Sequence, residues 1–143
     1  MNTGKTTINP YLSFNGNCRE AMTFYKTALD GELEIMTFAD SPMEVPEDHK
    51  NKVMHASVKF ADAILMASDG MPGNEVTFGD AYNISIGAKS AEEGERYFKN
   101  LSEGGSVTMP YSEQFWGDTF GMLTDKFGIR WMVNAAKGDK QFI

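Results

Sequence analysis

This sequence predicts an α+β fold in which two βαβββ modules form a curled mixed sheet, a half-barrel with its helices outside. The first observation is an internal repeat. A strand around Leu12 and a helical aromatic pair at 24–25 recur around Ile84 and at 97–98, which is 72 to 73 residues later. The second observation is that each copy is followed by short alternating apolar segments, which are typical of strands. The duplication predicts a pseudo-symmetric fold with a site between its halves.

The first module is predicted to span residues 8–70. Its first strand runs from Asn9 to Phe14, and a helix follows Asn17, with Glu20 at the position of a capping box. Gly31 is placed to end this helix. Three further strands are expected at 32–38, 53–60 and 64–68, with an acidic, proline-containing loop or lid at 39–52.

The second module, residues 81–136, is predicted to repeat this order. Its helix follows Ser90, with Glu93 at the capping-box position, and stops at Gly104-Gly105. The strands and loops expected around it are a strand at 83–88, a strand near 106–109, an aromatic loop at 111–116, and a hairpin of 119–124 and 129–134.

Composition narrows the class of protein. A chain of 143 residues with 41% hydrophobic residues fits a single domain, 1–143, with a packed core. The net charge of −7 and the scattered basic residues argue against binding to nucleic acid. No apolar stretch approaches the roughly 18 residues of a membrane span, so we expect a cytoplasmic protein with no membrane partner. The single cysteine, Cys18, excludes an internal disulfide and is expected to be a buried structural thiol.

Strand alternation separates a helix-packed face from a concave face, and a mainly apolar concavity with a few polar groups is the usual small-molecule site. Ser85 and Arg130 are expected on the concave side. Arg130 could contact an anionic ligand group or face solvent. The candidate ligand-binding residues are Tyr11, Ser13, His55, Met66, Ser68, Asn83, Met132 and Asn134, together with Phe115 and Trp116 of the aromatic loop.

His55 is the candidate catalytic residue, because a neutral imidazole can act as a general base or a ligand donor. The alternative is a hydrogen-bonded residue in the pocket wall. Asp69 could pair with His55 or could close a turn, and His49 is expected to be solvated. Phe115 and Trp116 could stack on a flat or cationic ligand, or could form a dimer or lid contact.

Two segments of the chain resemble a known family. They are NPYLSFNGN at 9–17 and the ending that comprises QFWG at 114–117 and DKFGIRWMVN at 125–134. This sequence resembles the PhnB-like proteins of the vicinal oxygen chelate superfamily, which includes glyoxalase I, extradiol dioxygenases, fosfomycin-resistance enzymes and bleomycin-binding proteins. The resemblance covers residues 8–136 and implies paired βαβββ modules of the glyoxalase/bleomycin resistance type, assembled as a homodimer.

Metal-using members of the superfamily bind a divalent ion through His, Gln or Glu on four strands. Carried over to this chain, those positions fall on Asn9 or Pro10, Met66, Asn83 and Met132. None supplies a carboxylate or an imidazole, so the resemblance implies no metal site of the family type. No Gly-rich strand–helix turn suits an adenosyl cofactor either, and no cofactor is expected.

These observations predict a metal-free protein that binds a small molecule. The alternative is a metal-dependent glyoxalase- or dioxygenase-like enzyme in which His55 acts with non-standard ligands, so enzyme status stays open. A third hypothesis is a structural or regulatory dimer with a vestigial pocket.

Overall fold

The structure is a computed structural model that describes residues 4–137. The chain divides into two compact units, with the boundary between Val76 and Thr77. Each unit contains one long helix and one four-stranded mixed sheet in the order βαβββ, which confirms the α+β class and the two modules. Among the described residues, no helix has the length and apolar character needed to cross a membrane.

The first unit has its strands in the spatial order β1-β4-β3-β2, with β1 parallel to β4 and the other pairs antiparallel. The segment expected to be a loop contains two short 3-10 turns, Phe38–Asp40 and Glu47–His49. The main elements are β1 (Tyr11–Ser13), α1 (Cys18–Leu29), β2 (Glu32–Thr37), β3 (Val53–Phe60) and β4 (Ala63–Ser68).

The second unit repeats the arrangement in the order β5-β8-β7-β6, with β5 parallel to β8. Its elements are β5 (Ile84–Ala88), α2 (Ala91–Ser102), β6 (Ser106–Glu113), β7 (Thr119–Thr124) and β8 (Arg130–Ala135). The prediction that the β6 strand stops at Met109 and gives way to a loop is wrong. Two register shifts against β7 carry the edge strand past Pro110, and such bulges hide the alternation that marks a strand.

Each helix covers one face of its own sheet. The alternation of β3 is confirmed, since Ala56 and Val58 are fully buried on the side of α1. Trp131 is buried on the corresponding side of β8, where its indole Nε1 donates a hydrogen bond of 2.9 Å to Asp125. Among residues 4–137, no long helix of the same unit packs on the opposite face of either sheet, and we call these two surfaces the open faces.

The helix starts differ from each other. At α2 the predicted Ser90 cap is confirmed, because its hydroxyl accepts a hydrogen bond of 3.0 Å from the Glu93 amide. The Glu93 carboxylate accepts from the Lys89 amide at 2.9 Å, one residue before the position that a capping box requires. At α1 the capping-box prediction is wrong, because Asn17 makes no side-chain hydrogen bond to the helix it precedes. Asp69, which follows β4, accepts hydrogen bonds from the amides of Gly16 and Cys18 instead.

The end of α1 also corrects the prediction for Gly31. The left-handed residue that terminates the helix is Asp30, with φ 56°. Gly31 is required for a different reason, since a Cβ there would lie 2.7 Å from the Lys59 carbonyl oxygen on β3. The glycine therefore permits close approach of helix and strand.

Candidate functional site

The open face of the first sheet carries all the candidate residues predicted for the first module. Tyr11 pairs with Met66, and Ser13 pairs with Ser68, across the parallel β1–β4 ladder. On the neighbouring strand His55 shares this face and lies opposite Met36 of β2. Strand pairing therefore brings Tyr11, Ser13, His55, Met66 and Ser68 onto one surface.

Tyr11 and His55 form the central polar contact of this surface. The phenol oxygen lies 3.0 Å from the imidazole Nδ1, and the ring centroids are 5.6 Å apart. Burial, assisted by the nearby Cys18 thiol, raises the pKa of Tyr11, so the phenol stays protonated. When that phenol donates to Nδ1, a neutral imidazole carries its proton on Nε2. Within residues 4–137, Nε2 has no hydrogen-bond partner and is available to a ligand.

Asp69 does not pair with His55. Its carboxylate accepts hydrogen bonds from the amides of Gly16 at 2.9 Å, Cys18 at 3.0 Å and Val53 at 2.9 Å. The side chain is only 5% exposed. Asp69 therefore does not close a turn before Gly70, where the amide of Gly70 bonds to the Ser68 hydroxyl, but ties the start of α1 to the start of β3.

Cys18 is a buried structural thiol, as predicted. Burial raises its pKa from 9.0 to about 12; the Asp69 carboxylate adds to this effect, and Arg19 partly opposes it. A helix N-terminus ordinarily lowers a thiol pKa, but here the negative carboxylate occupies the helix amides. The thiolate is therefore scarce near neutral pH.

His49 is not solvated, contrary to the prediction. The ring is half-buried, packs against Phe38 with centroids 4.8 Å apart, and bonds through Nε2 to the Gly70 carbonyl oxygen at 2.9 Å. His49 therefore fastens the acidic loop to the end of β4.

Two open cavities lie near the start of α1, and the sequence pattern did not reveal them because loops form their walls. One has a volume of about 450 Å³ and includes Asn15 and His49 in its wall, and the other has a volume of about 680 Å³ and includes Arg19 and Asp69. Lys52 borders both cavities, and its Nζ donates to the Gly16 carbonyl oxygen at 3.3 Å. These cavities are lined by residues outside the predicted ligand-binding set.

The open face of the second sheet contains a row of methionines, which we call the methionine row. Met109 of β6 pairs with Met122 of β7, which pairs with Met132 of β8, and Ser85 of β5 completes the row. All three methionines are half-buried. Sequence alternation predicted the orientation of Met132, but only the strand register places Met109 and Met122 beside it.

The remaining candidates of the second unit have different surroundings. Asn134 is 5% exposed, and its amide donates to Asp118 at 3.3 Å. Asn83 is exposed and precedes β5. Phe115, 96% exposed, packs edge-on against Trp116 in the β6–β7 turn, with ring centroids 4.9 Å apart.

Arg130 begins β8 on the same face as the methionine row. Its guanidinium Nε donates a hydrogen bond of 3.1 Å to the Tyr82 carbonyl oxygen, and its backbone amide donates to the Tyr82 hydroxyl at 3.2 Å. These bonds anchor the side chain, and whether its guanidinium group contacts an anionic ligand stays a prediction.

The residues at the family's metal positions do not fit a hard divalent ion. Asn9 is exposed and donates its amide to the Thr7 hydroxyl, while Met66 and Met132 present thioethers, which are soft donors. Across residues 4–137, no group of three or more His, Cys, Asp or Glu side chains is placed to hold a metal ion.

An adenosyl cofactor does not fit the strand–helix turns either. Such sites depend on free backbone amides at a helix start. At α1, Asp69 takes the amides of Gly16 and Cys18, and at α2 the Ser90 side chain takes the amide of Glu93.

Paired βαβββ modules of this topology define the glyoxalase/bleomycin resistance fold. The chain belongs to the family described as 3-demethylubiquinone-9 3-methyltransferase, whose model matches residues 6–134. This confirms the PhnB-like resemblance.

Three relatives illustrate the match. Protein PA1353 from Pseudomonas aeruginosa is 46% identical with a TM-score of 0.84, and the match covers 94% of this chain and 100% of that one. A PhnB protein from Bacillus cereus is 27% identical with a TM-score of 0.74, and the match covers 92% of this chain and 100% of that one. Protein YjdN from Escherichia coli K12 is 34% identical over 141 residues, covering 91% of this chain and 95% of YjdN.

Proposed function

We propose that this PhnB-like protein binds a small organic molecule, without a metal ion, on the open faces of its sheets. One observation carries the proposal. Apart from Glu32, Glu34 and Lys59 on β2 and β3 and Arg130 on β8, the faces left uncovered by the helices consist mainly of methionines and uncharged hydrogen-bonding side chains. A sheet face that only meets water is ordinarily polar and rich in charge, whereas ligand sites combine apolar surface with a few polar groups.

The open face of the first sheet supplies both polar and apolar contacts. The Tyr11–His55 pair holds a phenol and an imidazole in fixed positions, and the imidazole Nε2 is available to a ligand. Met36 and Met66 flank this pair in the strand register. Thioether side chains are flexible and polarizable, so they adapt to apolar groups of different shapes.

The donor chemistry supports binding without a metal ion. The residues at the four family positions offer thioethers, amides or a proline, whereas hard divalent ions prefer carboxylate oxygen or imidazole. As parts of the same proposal, the protein acts as a cytoplasmic homodimer with neither nucleic acid nor membrane as a partner, in keeping with the family resemblance and the net charge of −7.

The alternative, a metal-dependent enzyme, draws on one specific observation. The Nε2 atom of His55 is unengaged within the described part of the chain, and the Tyr11 hydroxyl orients the ring through Nδ1. Metal-binding histidines are commonly oriented in this way through their second nitrogen.

Elemental analysis separates the two functions. Untagged protein purified in buffer supplemented with divalent metals should contain far less than one metal ion per chain, and a panel of apolar and aromatic compounds should raise its melting temperature. His55→Ala should lower ligand affinity by no more than about tenfold, the cost of one lost hydrogen bond. Near-stoichiometric metal that His55→Ala removes, and that the control His49→Ala retains, would instead support the metal-dependent alternative. His49 is a suitable control because it bonds to the Gly70 carbonyl oxygen.

A further inference from the structure

We propose that Arg130 and the methionine row together bind a small organic acid, with its carboxylate on Arg130 and its flat apolar body on the methionines. This inference rests on the proposed function, because it names the class of ligand for one of the open faces. It assigns roles to Met109 and Met122, which lie outside the predicted ligand-binding set, and it selects one of the two alternatives predicted for Arg130.

Strand geometry places the cation and the apolar surface at a fixed distance. Arg130 and Met132 are two residues apart on β8, so they share a face with Cα atoms about 7 Å apart. The row crosses three neighbouring strands and is therefore about 10 Å wide. A bicyclic aromatic ring that carries one carboxylate matches these dimensions.

The apolar surface extends beyond the methionine row. Phe120 lies two residues before Met122 on β7 and therefore on the same face, and its ring centroid lies 6.3 Å from that of Trp116. Methionine and aromatic side chains both contact flat rings favourably, and methionine adapts to their outline. The body of the ligand is therefore expected to be flat and apolar.

The cation is held in place and lacks an acidic partner. The bond from Nε to the Tyr82 carbonyl oxygen orients the guanidinium group and leaves its two terminal nitrogens for a ligand. Arg130 makes no ion pair with any carboxylate of residues 4–137, although the chain has 20 acidic and 13 basic residues. An oriented guanidinium fork matches the two oxygens of a carboxylate.

The test compares two probes of nearly the same shape by calorimetric titration of the full chain. 1-Naphthoate carries the carboxylate, and 1-naphthamide is its neutral counterpart. We expect 1-naphthoate to bind about tenfold more tightly or better, because hydrogen bonds to charged groups are the stronger ones. Acetate lacks the apolar body and should bind at least tenfold more weakly than 1-naphthoate, because it buries no large apolar surface against the methionines.

Variants assign the effect to particular side chains. Arg130→Gln should abolish the preference for 1-naphthoate and change the dissociation constant of 1-naphthamide by no more than about two-fold. Arg130→Lys keeps the positive charge and should retain part of the preference. Met122→Ser should weaken the binding of both probes by the same factor. Arg96→Gln is the matched control, because it removes an exposed arginine from the helix of the same unit. Circular dichroism of each variant verifies folding.

The outcomes separate this inference from the proposed function. A preference for 1-naphthoate that depends on Arg130 and survives Arg96→Gln supports the inference. Equal binding of both probes, or a preference that Arg130→Gln leaves intact, overturns it while small-molecule binding stands. If neither probe binds, the inference is overturned, and the proposed function also fails for this face of the second sheet.

Discussion

Replacing Asp69 with alanine is expected to lower the free energy of unfolding by about 4 kcal/mol. The carboxylate is 5% exposed and accepts three backbone hydrogen bonds, from Gly16, Cys18 and Val53. Alanine would leave these three amides without an acceptor, at the point where the start of α1 meets the start of β3.

The magnitude follows from the number of bonds and from access to water. A hydrogen bond to a charged group contributes about 1.5–3 kcal/mol, so three contribute about 4.5–9 kcal/mol. Asp69 borders the cavity of about 680 Å³, from which water can reach the stranded amides, so the loss should fall near the lower limit. Asp69→Asn keeps one oxygen for Gly16 and Cys18 and loses the bond from Val53, so about 2 kcal/mol is expected.

Urea denaturation followed by far-ultraviolet circular dichroism measures these losses. Asp62→Ala is the control, because Asp62 is exposed in the turn between β3 and β4 and its removal should change stability by less than about 0.5 kcal/mol. A loss below about 1 kcal/mol for Asp69→Ala would show that these three hydrogen bonds do not stabilise the fold, and equal losses for the asparagine and alanine variants would show that the bond from Val53 is not separable from the other two.

Three further predictions concern local chemistry. Cys18 should resist thiol reagents in the folded protein, and its contribution to stability should be complete below about pH 9 and decline towards pH 12, because burial raises its pKa to about 12. Gly94→Ala should lower the melting temperature although alanine favours helices, because the new Cβ would meet the Tyr111 hydroxyl. Asp30→Gly should stabilise the left-handed helix end by about 0.5–1 kcal/mol, whereas Gly31→Ala should destabilise the neighbouring close contact.

A specific result would contradict each of these predictions. Rapid labelling of Cys18 in the folded state, or an alkaline stability profile unchanged in Cys18→Ala, would contradict the first. A Gly94→Ala loss that does not shrink in a Tyr111→Phe background would show that the hydroxyl is not the obstacle. If Asp30→Gly lowers stability in thermal melts, the left-handed residue is not the source of strain.

Sequence alternation predicted the strands best where pairing is regular. The predicted strand at 53–60 agrees with β3, and the predicted burial of Trp131 is confirmed. Both depend on the two-residue period of a strand, which is local and can be read from the sequence. The strand β6 was only half predicted, because register shifts around Pro110 interrupt that period.

The errors at the start of α1 and in the acidic loop have a different origin. The capping partner of α1 is Asp69, 51 residues beyond Cys18. His49 is held by Gly70, 21 residues further along the chain. Neither contact leaves a pattern in the neighbouring sequence. Local reasoning therefore predicted that Asn17 caps α1 and that His49 is exposed to solvent.

The repeated βαβββ order, the family and the face on which most strand residues lie could be predicted from the sequence, because they depend on local periodicity and recognisable segments. Which of those residues are neighbours could be learned only from the folded structure. The Tyr11–His55 contact and the alignment of Met109 with Met122 and Met132 depend on strand register. Register is set by packing between segments distant in the chain, and a shift of one residue would turn each side chain to the other face.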